Sequence, residues 1–211
     1  MGTDGVMQTG LIKVSGKLYY LSGSGAMQTG WKQINGEWYY FQSGGAAATG
    51  WLQSGSSWYY FDADCVMVTL WREIGGKKYY FNASGAMKTG WLSENGAWYY
   101  FQSSGAMATG WVKVGTAWYY FMSDGVMVTG WQEIGGKRYY FASSGAMKTG
   151  WLKDGGKWYY FESGGAMKTG WLKLDGKWYY LDADGVMLAS TSRKIGSKVY
   201  RFNASGVCTN P

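Results

Sequence analysis

From residue 31 apolar and polar side chains mix through Trp31-Lys32-Gln33-Ile34, the chain turns at Asn35-Gly36, and an aromatic run follows in Glu37-Trp38-Tyr39-Tyr40-Phe41. Two runs of strand formers flanking Asn-Gly are the strongest short signal for a hairpin closed by a type I′ turn. The same place holds Asn95-Gly96, Asp175-Gly176, Gly75-Gly76 and Gly135-Gly136, whereas Gly55-Ser56 and Gly115-Thr116 put glycine first and suit type II′. Closing the turn at Asn35-Gly36 pairs Ile34 with Glu37, Gln33 with Trp38, Lys32 with Tyr39 and Trp31 with Tyr40. Side chains alternate between the faces of a strand. One face therefore gathers Trp31, Trp38 and Tyr40, and the other gathers Ile34, Tyr39 and Phe41. The segment after each hairpin, such as Ser103 to Gly110, is small and glycine-bounded and reads as a connecting loop.

The pattern returns every 20 residues across the 211-residue chain. With Trp31 as slot one, all 14 tryptophans fall on slots one and eight, the 19 tyrosines on slots nine and ten, and the eight phenylalanines on slot eleven. A repeat this short cannot bury its own apolar face, so neighbours must stack, each touching mainly the next. The expected organisation is one module over 1–211: a partial repeat at 1–10, repeats starting near 11, 31, 51, 71, 91, 111, 131, 151 and 171, and a divergent terminal repeat at 191–211. The fold class is all-β, a solenoid of about ten stacked hairpins. The chain opens in mid-repeat with no signal peptide at Met1-Gly2-Thr3-Asp4, as expected of a module cut from a longer polypeptide or relieved of its targeting segment.

Composition narrows the chemistry. The net charge of +7 is spread through the repeats and forms no basic run, so no nucleic-acid footprint is expected. No apolar run is long enough for a membrane-spanning helix. Histidine is absent, which removes the commonest general base and metal ligand. Acidic residues sit in turns and connectors with no paired-carboxylate constellation, so no enzyme, metal or cofactor is expected. Cys65 and Cys208 lie about seven repeats apart, too far in a stack of nearest neighbours to form a disulfide, and are expected to be free.

Both hairpin faces are aromatic, and only one is needed as core. Two indoles and a phenol ring around an opening hold a quaternary ammonium by cation–π attraction without any acidic partner. Each ring contributes about 0.5–2 kcal/mol, so three give about 2–6 kcal/mol before the cost of association, which implies weak sites used many at a time. As plain core, slots one and eight would accept Ile, Val or Phe, yet they hold tryptophan, and slot ten keeps a tyrosine with a polar tip.

The string Thr-Gly-Trp-Leu-Lys-x-x-Gly-Lys-Trp-Tyr-Tyr-Phe-x-x-Ser/Gly-Gly-Ala-Met-Lys-Thr-Gly-Trp, as it stands at 149–171, resembles the cell-wall-binding repeat of the choline-binding proteins of Gram-positive bacteria and their phages. The resemblance spans essentially the whole chain. It implies a left-handed superhelix with about three hairpins per turn and choline or phosphocholine sites between successive hairpins, with no other cofactor. Carried over by position, the cages are Trp31, Trp38, Tyr60 and Met67; Trp51, Trp58, Tyr80 and Met87; Trp91, Trp98, Tyr120 and Met127; Trp111, Trp118, Tyr140 and Met147; and Trp151, Trp158, Tyr180 and Met187. Trp171 and Trp178 begin a sixth, whose matching slot in the last repeat is Arg201. The resemblance also implies an extracellular place on the bacterial cell wall, choline-decorated teichoic or lipoteichoic acid as partner, Lys88, Lys148 and Lys168 available to its phosphates, and in many members a catalytic domain outside the residues present here. The alternative ligand class is glucan or another carbohydrate, as in similar repeats of glucosyltransferases and clostridial toxins.

Slot eight departs from tryptophan at Leu18, Lys78, Arg138 and Val199, every third repeat. The linkers before these repeats share Asp4, Asp64, Asp124 and Asp184 with Val6, Val66, Val126 and Val186, so a 60-residue period overlies the shorter one. The expectation is a cage-free edge, where Lys78 and Arg138 repel a cationic ligand and a host or self partner has room to bind.

Overall fold

The computed structural model describes residues 6–211; Asp4 and the first half of the partial repeat at 1–10 lie outside the described residues. The described residues form 20 five-residue strands paired as ten antiparallel hairpins, at 10–21, 30–41, 50–61, 70–81, 90–101, 110–121, 130–141, 150–161, 170–181 and 191–202. Among them there is no helix. The register is the one the turns dictate: Trp31 faces Tyr40, Lys32 faces Tyr39, Gln33 faces Trp38 and Ile34 faces Glu37.

Turn chemistry sets the closing geometry. Asn35 and Gly36 both have positive φ, 54° and 89°, as type I′ requires, whereas at Gly55-Ser56 only Gly55 is positive, at 61°, the signature of type II′. The connectors are more ordered than a plain loop. Gln42 N–H donates to the Ala46 carbonyl and Gly45 N–H to that of Gln42, and the chain folds back to bridge Phe41 with Ala47.

The chain divides into two compact units, the first ending at Ala108 and the second running Thr109–Pro211. Each holds five hairpins and has the same interior. Slot eleven supplies it: Phe41, Phe61, Phe81 and Phe101 in the first unit, and Phe121, Phe141, Phe161 and Leu181 in the second, are all essentially fully buried. No buried side-chain nitrogen or oxygen lacks a hydrogen bond among the described residues. Cys65 and Cys208 are free and buried.

Candidate functional site

Within each unit a hairpin offers its slot-one, slot-eight and slot-ten face to the slot-nine and slot-eleven face of the next. Trp51 meets Trp58 edge-on at 6.4 Å and 81°, and its own Tyr60 at 5.1 Å. Across the gap Tyr79 stands 4.9 Å from Trp51, and Phe81, 5.8 Å away, seals the floor. The Trp58 carbonyl accepts a hydrogen bond from Met87 N–H at 2.8 Å, which brings the methionine to the wall. The result is an open recess of about 460 Å³ lined by Trp51, Trp58, Tyr79, Met87, Ser103 and Ser104.

The second unit repeats the design. Trp111, Trp118, Tyr139 and Met147 line about 440 Å³, and Trp151, Trp158, Tyr179 and Met187 line about 290 Å³. Trp31, Trp38, Tyr59 and Met67 share the arrangement, with Trp31 4.8 Å from Tyr59 and Met67 N–H donating to the Trp38 carbonyl. Slot eight is exposed at Trp58, 42%, and at Trp118, 41%, and slot one is scarcely less so, Trp51 at 38% and Trp111 at 37%, while Tyr79 and Tyr139 are half-buried.

The expected tryptophans and methionines thus come together, but the closing tyrosine is a different one. Tyr60, Tyr80, Tyr140 and Tyr180 were expected there, and each instead packs on slot one of its own hairpin at 5.1–5.4 Å. Their neighbours Tyr59, Tyr79, Tyr139 and Tyr179 close the gaps. The cause is strand alternation: the face an arriving hairpin turns toward its predecessor is the slot-nine face, and slot ten points away. Trp91 and Trp98 keep the edge-on pairing, 6.1 Å and 83°, in the last hairpin of the first unit. In the second unit Tyr120 packs on Trp111 at 5.1 Å, and Met127 lies against Gly145.

The same shift gives the sixth pair of tryptophans a closing ring. With slot nine as the closing position, the residue that meets Trp171 is Tyr200, at 4.7 Å, and Arg201 plays no part. Trp171, Trp178, Tyr200 and Pro211 line about 320 Å³. Cys208 takes the methionine's place, its N–H donating to the Trp178 carbonyl.

The repeats without a slot-eight tryptophan differ in their side chains and keep the backbone. The Arg138 guanidinium lies 5.1 Å from the Trp131 ring centre, so it covers the indole that a ligand cation would use. Trp131 Nε1–H donates to Asp154 at 2.9 Å, and Trp71 Nε1–H donates to Glu94. Tyr159 and Met167 complete the walls as elsewhere. The gap beside Leu18 is closed by other means. Tyr39 there is only 6% exposed and clusters with Phe41 and Cys65, with Leu18, Ala47 and Val66 packed around them. Burial, helped by a hydrogen bond to Glu37, pushes the Tyr39 phenol up to about 12, and burial also raises the Cys65 thiol, keeping it protonated and inert.

Perpendicular indoles, a phenol and a thioether around an open mouth, with no carboxylate lining it, define a class: an aromatic-cage module for organic cations. Models of the choline-binding repeat match residues 28–65, 68–109, 108–150, 128–168 and 148–192, and a putative cell wall binding repeat matches 9–27. The chain belongs to the choline-binding repeat family. Among solved structures it is similar to CbpJ of Streptococcus pneumoniae, at 32% identity and TM-score 0.74, covering 96% of this chain and 94% of that one. Choline binding protein F of the same organism matches at 31% and 0.72, covering 96% and 93%. The choline-binding domain of its CbpL matches at 33% and 0.65, covering 87% and 98%. Comparison with curated protein sequences finds no match.

Proposed function

We propose that this chain is a non-catalytic anchor that holds choline-bearing teichoic or lipoteichoic acid at the bacterial surface through cages between successive hairpins. One observation carries the proposal: the recess between Trp51, Trp58, Tyr79 and Met87 recurs with the same rings at Trp111, Trp118, Tyr139 and Met147. Five such cages lie wholly within one unit or the other: those begun by Trp31, Trp51, Trp111, Trp151 and Trp171. A polymer carrying many cholines is the natural ligand for weak sites in series, because each further site engages at high effective concentration. At Arg138 the protein supplies its own cation, which makes that cage self-filled.

Calorimetric titration with choline tests the proposal directly, with a stoichiometry of at least five expected. Arg138→Trp should add one site, since Trp131, Tyr159 and Met167 already stand in place. An unchanged stoichiometry in Arg138→Trp would refute self-filling, and no choline binding at all would refute the anchor. Dextran binding in place of choline would favour the carbohydrate reading.

A further inference from the structure

The residue paired across the strands with each slot-eight tryptophan divides the cages into two sets that coincide with the two compact units. In the first unit Trp38, Trp58 and Trp98 face Gln33, Gln53 and Ser93. In the second, Trp118, Trp158 and Trp178 face Lys113, Lys153 and Lys173. The Lys153 ammonium lies 5.9 Å from the Trp158 ring centre, and that of Lys173 lies 5.3 Å from the Trp178 ring centre. Both lysines are exposed, and neither lines the recess itself. Their charges stand beside the outer wall of the cage and leave its interior free.

Neither charge is neutralised by the protein. Among the described residues the one ion pair is Lys168 with Glu162, at 3.6 Å. The wider balance agrees: residues 1–108 hold 7 Lys and Arg against 6 Asp and Glu, while residues 109–211 hold 13 against 7, so the net charge of +7 falls almost wholly in the second unit. A lysine beside a cation cage is unfavourable for bare choline, because the two positive charges repel. It becomes favourable when the ligand carries an anionic group a short arm from its ammonium, since the ammonium enters the cage while the anion stays at the lip.

We infer that the cages of the second unit are phosphocholine sites, in which Lys113, Lys153 and Lys173 hold the phosphoryl group, whereas those of the first unit lack a lysine at this position. The inference rests on the choline-binding reading above and refines it. An exposed ammonium–phosphate contact is worth about a two- to fivefold gain in affinity per site, and salt weakens it.

The test is paired calorimetry of the full chain with choline and with phosphocholine, at low and at moderate salt. The wild type should favour phosphocholine at about half of its sites, by about two- to fivefold, with the preference shrinking as salt rises. Lys113→Gln/Lys153→Gln/Lys173→Gln should abolish that preference while leaving choline binding unchanged or slightly tighter. Gln33→Lys/Gln53→Lys, both at exposed strand positions, should create the preference in the first unit. Choline binding with no phosphocholine preference, or a preference that survives the triple substitution, would overturn the inference and leave the choline cages standing. Failure of both ligands to bind would overturn the choline reading and this refinement with it.

Discussion

Two gaps in the first unit are built on one backbone and do opposite things. In the gap after hairpin 50–61, Trp51, Trp58, Tyr79 and Met87 stand around open space. In the gap after hairpin 10–21, Tyr39 and Cys65 cluster with Phe41, and Leu18 and Ala47 pack against them as core. The hydrogen bond that carries the closing linker is the same in both: Met87 N–H to Trp58 carbonyl, and Ala47 N–H to Leu18 carbonyl, each 2.8 Å. Strand register matches as well. The hairpin stack is therefore a neutral frame, and a handful of side chains decide whether a gap becomes a site or a piece of core.

The largest effect should come from cutting the same slot in both gaps. Tyr39→Ala removes a ring that is 6% exposed and should cost about 3–5 kcal/mol of stability while leaving choline stoichiometry unchanged in the folded fraction. Tyr79→Ala removes a half-buried ring, should cost less stability, and should eliminate one choline site. Denaturant unfolding and calorimetry of the two variants measure both quantities. Equal stability losses, or loss of a site in Tyr39→Ala, would break the distinction between sealed and open gaps.

A second test exchanges the packing partners. At most linkers a methionine lies flat against the glycine of the next linker: a Cβ on Gly85 would sit 2.2 Å from Met67 Sδ, and one on Gly105 2.1 Å from Met87 Sδ. The sealed gap reverses both partners, with Ala47 where the methionine would be and Cys65 where the glycine would be. Ala47→Met alone should overpack Cys65 and cost about 1–3 kcal/mol, and Cys65→Gly in the same chain should remove most of that cost. A double-mutant cycle by thermal or denaturant unfolding gives the coupling. Additive effects would mean that the two substitutions arose independently of packing.

This coupling was present in the sequence as two unrelated exceptions, and only the spacing of the linkers in three dimensions joins them. Much else was open to reading. Asn35-Gly36 and Gly55-Ser56 fixed turn types and register, because two-residue hairpin turns tolerate few residues. The tryptophans and methionines of the cages followed from periodicity together with the family resemblance. The resemblance points to slot ten for the closing tyrosine, whereas strand alternation dictates slot nine: if Trp51 looks forward, the next hairpin can answer only with the face that holds Tyr79 and Phe81. The fate of Arg138 was legible as repulsion but not as self-occupation, since the sequence does not show that its guanidinium reaches the Trp131 ring. Nor did it give the order of the connectors, whose turns come from Asx-type bonds such as Asp62 Oδ1 accepting from Val66 N–H at 2.9 Å.

The smallest effect tests the premise that the backbone is common to every gap. The residue before each slot-one tryptophan is almost always glycine with positive φ, 71° at Gly50 and 72° at Gly90, but at position 70 it is leucine, with φ 61°. Leu70 thus adopts the frame's conformation against its own preference, in the hairpin that carries Lys78. A non-glycine residue in the left-handed region costs about 1–2 kcal/mol, and glycine's extra freedom in the unfolded chain gives back about 0.5–1 kcal/mol of that difference. The side chain is 55% exposed, so it recovers little by packing. Leu70→Gly should therefore stabilise the protein by about 0.5–1 kcal/mol, without changing the number of choline sites. A loss of stability on denaturant unfolding would show that the frame is adapted locally to its side chains, and the two gaps would then differ in more than what fills them.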